Sequence, residues 1–226
     1  MNAPDPTKLA AFHKKLENKF GQLGGVGCTD LIDHRLISDD PLISELVFSL
    51  LVWESSIEHA IKAVEAIDEH LIDLNELRVC TPDELVTLLP ARYPKLLERS
   101  ERLIVCLNSV FDRENKLSLV HLSEMTKKDV LTYFESIAGV PAFVTARVIL
   151  LGLGWHAFPI DEWLSNELER AGVVDKTSDI PGLISRMERA VRASDSLKFY
   201  TLIEHWATDQ RAAKLNAKKN AVKGSS

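Results

Sequence analysis

Along most of the chain, apolar residues recur every three or four positions, and no run alternates β-branched with polar residues over a strand's length. The period predicts helices throughout and an all-α class. Helix starts are marked by their own chemistry. Asp40-Pro41 sets a capping acceptor and a first-turn proline ahead of LISELVFSLLVW, and Thr81-Pro82-Asp83-Glu84 forms a capping box before LVTLL. Thr126 with Asp129 is expected to cap KKDVLTYFESI in the same way. Each apolar stripe must dock on a neighbour, since a lone amphipathic helix is marginal in water.

The segments between these helices, DLNELRVCTPDE and FDRENKLSLVHLSEMT, lose the period and are expected to be short connectors. Near the N-terminus one helix is followed by GQLGGVGCTD, whose four glycines predict a turn-rich crossing segment. No Lys-Ser/Thr follows this stretch, so it lacks the pattern of a phosphate loop. The C-terminal RAAKLNAKKNAVKGSS is rich in Lys and Ala without an apolar face, and a frayed tail over 209–226 is expected.

Composition adds three constraints. An apolar share of 46 % over 226 residues suffices for a sizeable core. No apolar run reaches the roughly 20 residues of a membrane span, and the N-terminus is polar, which predicts a soluble intracellular protein. The three cysteines, Cys28, Cys80 and Cys106, have no short spacing and are expected to be buried free thiols; the seven histidines are scattered, so no metal is expected. A net charge of −6 argues against nucleic acid until it is resolved along the chain. Residues 39–84 carry twelve acidic and two basic side chains, leaving +4 on the other 180.

The densest chemistry lies in AGVPAFVTARVILLGLGWHAFPIDEW, residues 138–163. One helix is predicted over Val130 to Ile137, a turn at Gly139-Val140-Pro141, and a second helix over Ala142 to Leu153. The first N–H groups of a helix that starts at such a turn point outward with the positive end of its dipole, a natural place for a phosphate. Asp161 then precedes the amphipathic EWLSNELERAG and reads as its N-cap.

Taken together, this order and spacing resemble the helix-hairpin-helix DNA glycosylases of the endonuclease III type, whose hairpin reads Leu-Pro-Gly-Val-Gly-x-Lys-Thr-Ala and leads to a Val-Asp-Thr-His segment. Without a gap, Gly139 and Val140 fall on the hairpin Gly-Val, Gly154-Trp155 on the family's Gly-Trp, and Asp161 on its catalytic Asp. LVFSLLVWESSIEHAIKAVEAI resembles the family's early helix, and RYPKLLERSERLIVCLNSV the helix before the hairpin; the likeness extends over about 38–208. The resemblance implies a two-lobed fold with a cleft, a central helical lobe over 40–153, and a second lobe of 1–39 with 154–208. It implies double-stranded DNA carrying a damaged base as the partner and a monomer as the working unit. It also implies Asp161 as the carboxylate that steadies positive charge on the sugar, and Gly139, Val140, Ala142 and Phe143 as the DNA-binding hairpin.

Departures from the family pattern refine this expectation. The lyase Lys of bifunctional members is replaced by Phe143, so strand cleavage through a Schiff base is not expected. Pro141 replaces the second hairpin Gly and has no N–H for a phosphate. Glu162-Trp163 replaces Thr-His, and Glu54 stands where the family has a Gln that wedges into the duplex. HWATDQRAAKLNAKKN holds none of the four cysteines of an iron–sulfur cluster, so no cofactor is expected. Cluster-free relatives without the Lys include enzymes that remove alkylated purines, which makes Trp53, Trp155 and Trp163, with Phe143, candidates for an aromatic base pocket. The expectation is a monofunctional DNA base-excision repair glycosylase; the alternatives are a non-catalytic DNA-binding module on the same fold, or a protein-interaction domain using the acidic helices around Glu58 to Glu76.

Overall fold

The computed structural model describes residues 6–25 and 38–223, with side chains over 7–25 and 38–211. Its helices are α1 (Pro6–Phe20), α2 (Pro41–Val52), α3 (Ile57–His70), α4 (Leu74–Val79), α5 (Pro82–Leu88), α6 (Leu96–Glu114), α7 (Lys127–Ser136), α8 (Ala142–Arg147), α9 (Glu162–Arg170), α10 (Ile180–Ala190) and α11 (Ala193–Lys223). No strand occurs among the described residues, and no described helix is long and apolar enough to cross a membrane.

α2 forms the centre, with ten of its twelve residues buried. α3, α6 and α8 pack around it, α4 and α5 lie on α6, and α1 lies along α11. Asp40 fixes where α2 begins. Its Oδ1 accepts from the Leu42 amide at 2.8 Å, and its Oδ2 from Leu119 N–H at 2.6 Å and the Ser118 hydroxyl at 2.8 Å. One carboxylate thus caps a helix and ties down a connector 79 residues away. The C-terminal carbonyls of α2 are satisfied by Arg99 of α6, fully buried, which donates to Leu51 O at 3.0 Å and to Leu50 O and Trp53 O. A guanidinium there meets both the unpaired carbonyls and the negative end of the dipole.

Thr81 makes its capping box, and Thr126 accepts from the Asp129 amide at 3.3 Å. DLNELRVCTPDE, expected to be a connector, contains α4: six residues are too few to nucleate a helix alone, but Asp73 caps it and Leu74 and Leu77 are buried. The Lys-rich tail, expected to fray from 209, has helical backbone to Lys223 as the end of α11. The second hairpin helix, expected over Ala142 to Leu153, runs to Gly152 but changes its winding, α8 passing at Val148 into a π-helical turn over Val148–Gly152 with Leu153 N–H on Val148 O at 3.0 Å. Cys106 is buried and its thiol pushed up to about 12 by burial. Cys80 departs from expectation in being only half-buried. Cys28 and the second half of the glycine-rich segment, residues 26–30, lie outside the described residues.

Candidate active site

The hairpin is a product of backbone geometry. Gly139 sits at φ +84°, where side chains are strained, and a Cβ on it would lie 2.9 Å from Arg102 O of α6. The turn therefore presses directly on the α6 backbone, and Pro141 starts α8 with ψ 153° and no side-chain cap. Ala142 is exposed, Val140 is half-buried, and Phe143 turns inward to 5 % exposure.

Asp161 is reached from the other end of the same stretch. It caps α9 with Oδ1, which accepts from Leu164 N–H at 2.8 Å. Its Oδ2 accepts from Glu54 N–H at 2.6 Å. Beyond the end of α2 the chain turns at Glu54 in the left-handed region, φ 52°, an unfavourable conformation for a non-glycine residue. Glu54 returns the bond, its Oε1 accepting from Glu162 N–H at 3.0 Å. Two carboxylates and two amides thus cross-link the turn after α2 to the start of α9.

Asp161 is 5 % exposed. Burial raises its carboxyl to about 7; the Leu164 and Glu54 amides pull it down, and the nearby Glu54 charge pushes it up. Glu162, next to Asp161 in the sequence, has an exposed side chain and contributes only its amide to the clasp. Glu54, a duplex wedge by its position in the family pattern, is folded back onto Glu162 instead.

Asp161 lines a recess with Val52, Ser55, Phe143, Trp163, Tyr200 and Glu204, closed by further residues of α3, α9 and α11. The cavity is about 20 Å³, room for about one water. Of the aromatic candidates, Phe143 and Trp163 line it; Trp53 and Trp155 do not. Trp53 is buried against α6, with Lys95 Nζ and the Arg102 guanidinium each 4.7 Å from its ring. Trp155 is half-buried at the margin of the core, its N–H on Ile149 O at 3.0 Å.

Behind Phe143 lies a buried ionic cluster that the sequence expectations missed. Arg147 of α8, fully buried, takes Glu45 Oε1 of α2 at 3.3 Å, Ser49 Oγ at 3.1 Å and Glu204 Oε1 of α11. Burial opposes its charge, but Glu204, Tyr200 and Glu45 outweigh that and keep the guanidinium protonated. A signal existed: Glu45 and Arg147 are the lone charges inside two apolar runs, LISELVFSLLV and AFVTARVILL. Among the described residues no group of His, Cys, Asp and Glu could hold a metal ion.

No family model and no curated protein matches the sequence. Solved structures do match in three dimensions. A trapped endonuclease III–DNA covalent intermediate superposes with a TM-score of 0.61 at 11 % identity, covering 88 % of this chain and 84 % of that one. A thermostable thymine-DNA glycosylase gives 0.58 at 15 %, over 88 % and 86 %. The H. pylori 3-methyladenine DNA glycosylase bound to 1,N6-ethenoadenine gives 0.54 at 13 %, over 86 % and 91 %. The chain has the helix-hairpin-helix DNA glycosylase fold.

Proposed function

We propose that this protein is a DNA N-glycosylase of base-excision repair that hydrolyses the bond between sugar and damaged base without a lyase step, and that its cleft lies between the helices of 40–153 and those of the two termini. The observation that carries the proposal is Asp161: a carboxylate oriented by two backbone amides, at the wall of a recess, held at about 7 by burial. As a base departs, positive charge grows on the sugar. A desolvated carboxylate gains more from meeting that charge than a solvated one, because the anion it presents is expensive in the empty site. Phe143 has no nitrogen for a Schiff base, so an abasic sugar is the product. The hairpin backbone at Gly139 and Val140, with the amides of Ala142 and Phe143 at the exposed start of α8, is assigned to a DNA phosphate. Pro141 leaves one donor fewer there than the family turn.

The volume of the recess favours a second reading, a DNA-binding module without turnover, because a cavity of about 20 Å³ seats no base until a wall moves. Trp163, half-buried and lining the recess, is the wall assigned to move. The two readings part on base release from duplexes carrying alkylated, deaminated or oxidised bases. The expected result is release that yields strand breaks only after alkali, reduced by about a hundredfold or more in Asp161→Asn. Salt-sensitive DNA binding with no release from any lesion would establish the binding module instead.

A further inference from the structure

Two polar groups in the recess are unused by the chemistry assigned to Asp161. Glu204 is 5 % exposed and lines the recess. Its Oε1 is taken by Arg147, but its Oε2 is buried with no hydrogen-bond partner. A buried carboxylate oxygen without a donor is costly because it has given up its water and gained nothing in exchange, so an unmet acceptor on a residue of the cavity wall points to a donor from outside the chain. Glu45 and Glu204 share a single guanidinium, and the formal surplus of negative charge further favours a donor over a lone pair at this spot.

Ser55 offers the complementary group. Its Oγ lies 2.9 Å from His59 Nδ1, and His59 Nε2 lies 2.9 Å from Arg211 Nη2, which also approaches Nδ1 at 3.4 Å. Arginine only donates, so the ring nitrogen it meets at the shorter distance carries no proton. Burial, then Arg211 and Lys62, lowers His59 to about 4, so near neutrality its single proton sits on Nδ1 and is donated to Ser55. The Ser55 hydroxyl hydrogen is then free to point elsewhere, and Ser55 lines the recess.

We infer that Glu204 and Ser55 read the edge of a nucleobase seated beside Asp161, Glu204 Oε2 accepting from a base N–H and the Ser55 hydroxyl donating to a neighbouring oxygen or ring nitrogen. The chemical class is a base with a free N–H next to an acceptor, as in the lactam edge of uracil or hypoxanthine. The inference rests on the reading of this recess as the base site. Methylating the N–H removes the donor and adds bulk, whereas Glu204→Gln keeps a carbonyl for Arg147 and turns an NH₂ toward the ligand, inverting the polarity without changing shape.

The test is ligand-observed NMR saturation transfer on the full chain with bases blocked at the glycosidic nitrogen, 1-methyluracil and 9-methylhypoxanthine, beside 1,3-dimethyluracil and 1,9-dimethylhypoxanthine. The two bases that keep the lactam N–H are expected to bind, and the two that lack it to bind about tenfold more weakly or worse. In Glu204→Gln, shown folded by thermal melting, the preference should shrink to within about twofold. Ser55→Ala should weaken both bases that keep the N–H while leaving the preference in place. A folded Glu204→Gln that keeps the wild-type preference would overturn the assignment, as would failure of all four bases to bind the folded wild type. Binding with the expected preference but no release from uracil- or hypoxanthine-containing duplexes would uphold the Glu204 assignment and remove the glycosylase reading.

Discussion

Asp161 illustrates how one side chain acquires properties that its residue type does not confer. Its ordinary value is about 3.8, and burial carries it to about 7 in the fold. Because the folded value is the higher one, the folded state binds the proton more tightly. The penalty of the buried anion is therefore absent below about pH 4, grows between 4 and 7, and is complete above 7. At about 1.4 kcal/mol per pH unit, that penalty is of the order of 4 kcal/mol. In urea unfolding, the stability difference between wild type and Asp161→Asn should accordingly drift in the mutant's favour as pH rises from 4 to 7 and stay constant beyond. Glu54→Gln removes a neighbouring negative charge while keeping the acceptor for Glu162 N–H, so it should move the end of that drift to lower pH. A drift unchanged in Glu54→Gln would show that the Glu54 charge does not reach Asp161.

At the level of elements, what matters is where helices begin and end. α2 is closed by Asp40 at one end and Arg99 at the other, and the left-handed turn at Glu54 follows directly from that ending. The hairpin depends in the same way on Gly139. A methyl group there meets Arg102 O at 2.9 Å in a conformation that itself costs about 1–2 kcal/mol for an L residue. Gly139→Ala should lower the melting temperature by roughly 4–8 °C or more, at about 2–4 °C per kcal/mol for a domain of this size. Calorimetry is the check, and a loss under 2 °C would mean that the turn can move off α6. Caps were legible in the sequence because a cap and its partner lie within four residues of each other. The hidden helix α4 was not, because its stability comes from burying Leu74 and Leu77 rather than from its own length.

Across the whole molecule, the buried cluster of Arg147 joins α2, α8 and α11, elements separated by 57 and 102 residues along the chain. Removing its cation strands two carboxylates in the interior. Arg147→Ala should therefore lose about 3–5 kcal/mol, measured by denaturant unfolding, well above the cost of cutting an exposed ion pair such as Lys19–Asp209 between α1 and α11. A loss below 1 kcal/mol would mean that water reaches Glu45 and Glu204. The same cluster sets the polarity of the recess, since Glu204 lines it with one oxygen held by Arg147 and the other buried without a hydrogen-bond partner.

The division between sequence and tertiary structure follows the range of the forces. The sequence by itself determined the helical class, the caps at Asp40, Thr81, Thr126 and Asp161, and the Gly139 turn, because each depends on backbone geometry and on partners a few residues away. The spacing from Gly139 to Asp161 also carried the resemblance that the fold bears out. Only the tertiary structure decided that Phe143 and Trp163 face the recess while Trp53 and Trp155 do not. It alone raised Asp161 to about 7, bent Glu54 onto Glu162, and left Glu204 with one unmet oxygen. Desolvation and charge pairing act through space: Glu54 is 107 residues from Asp161, and no local pattern records a distance that only folding creates.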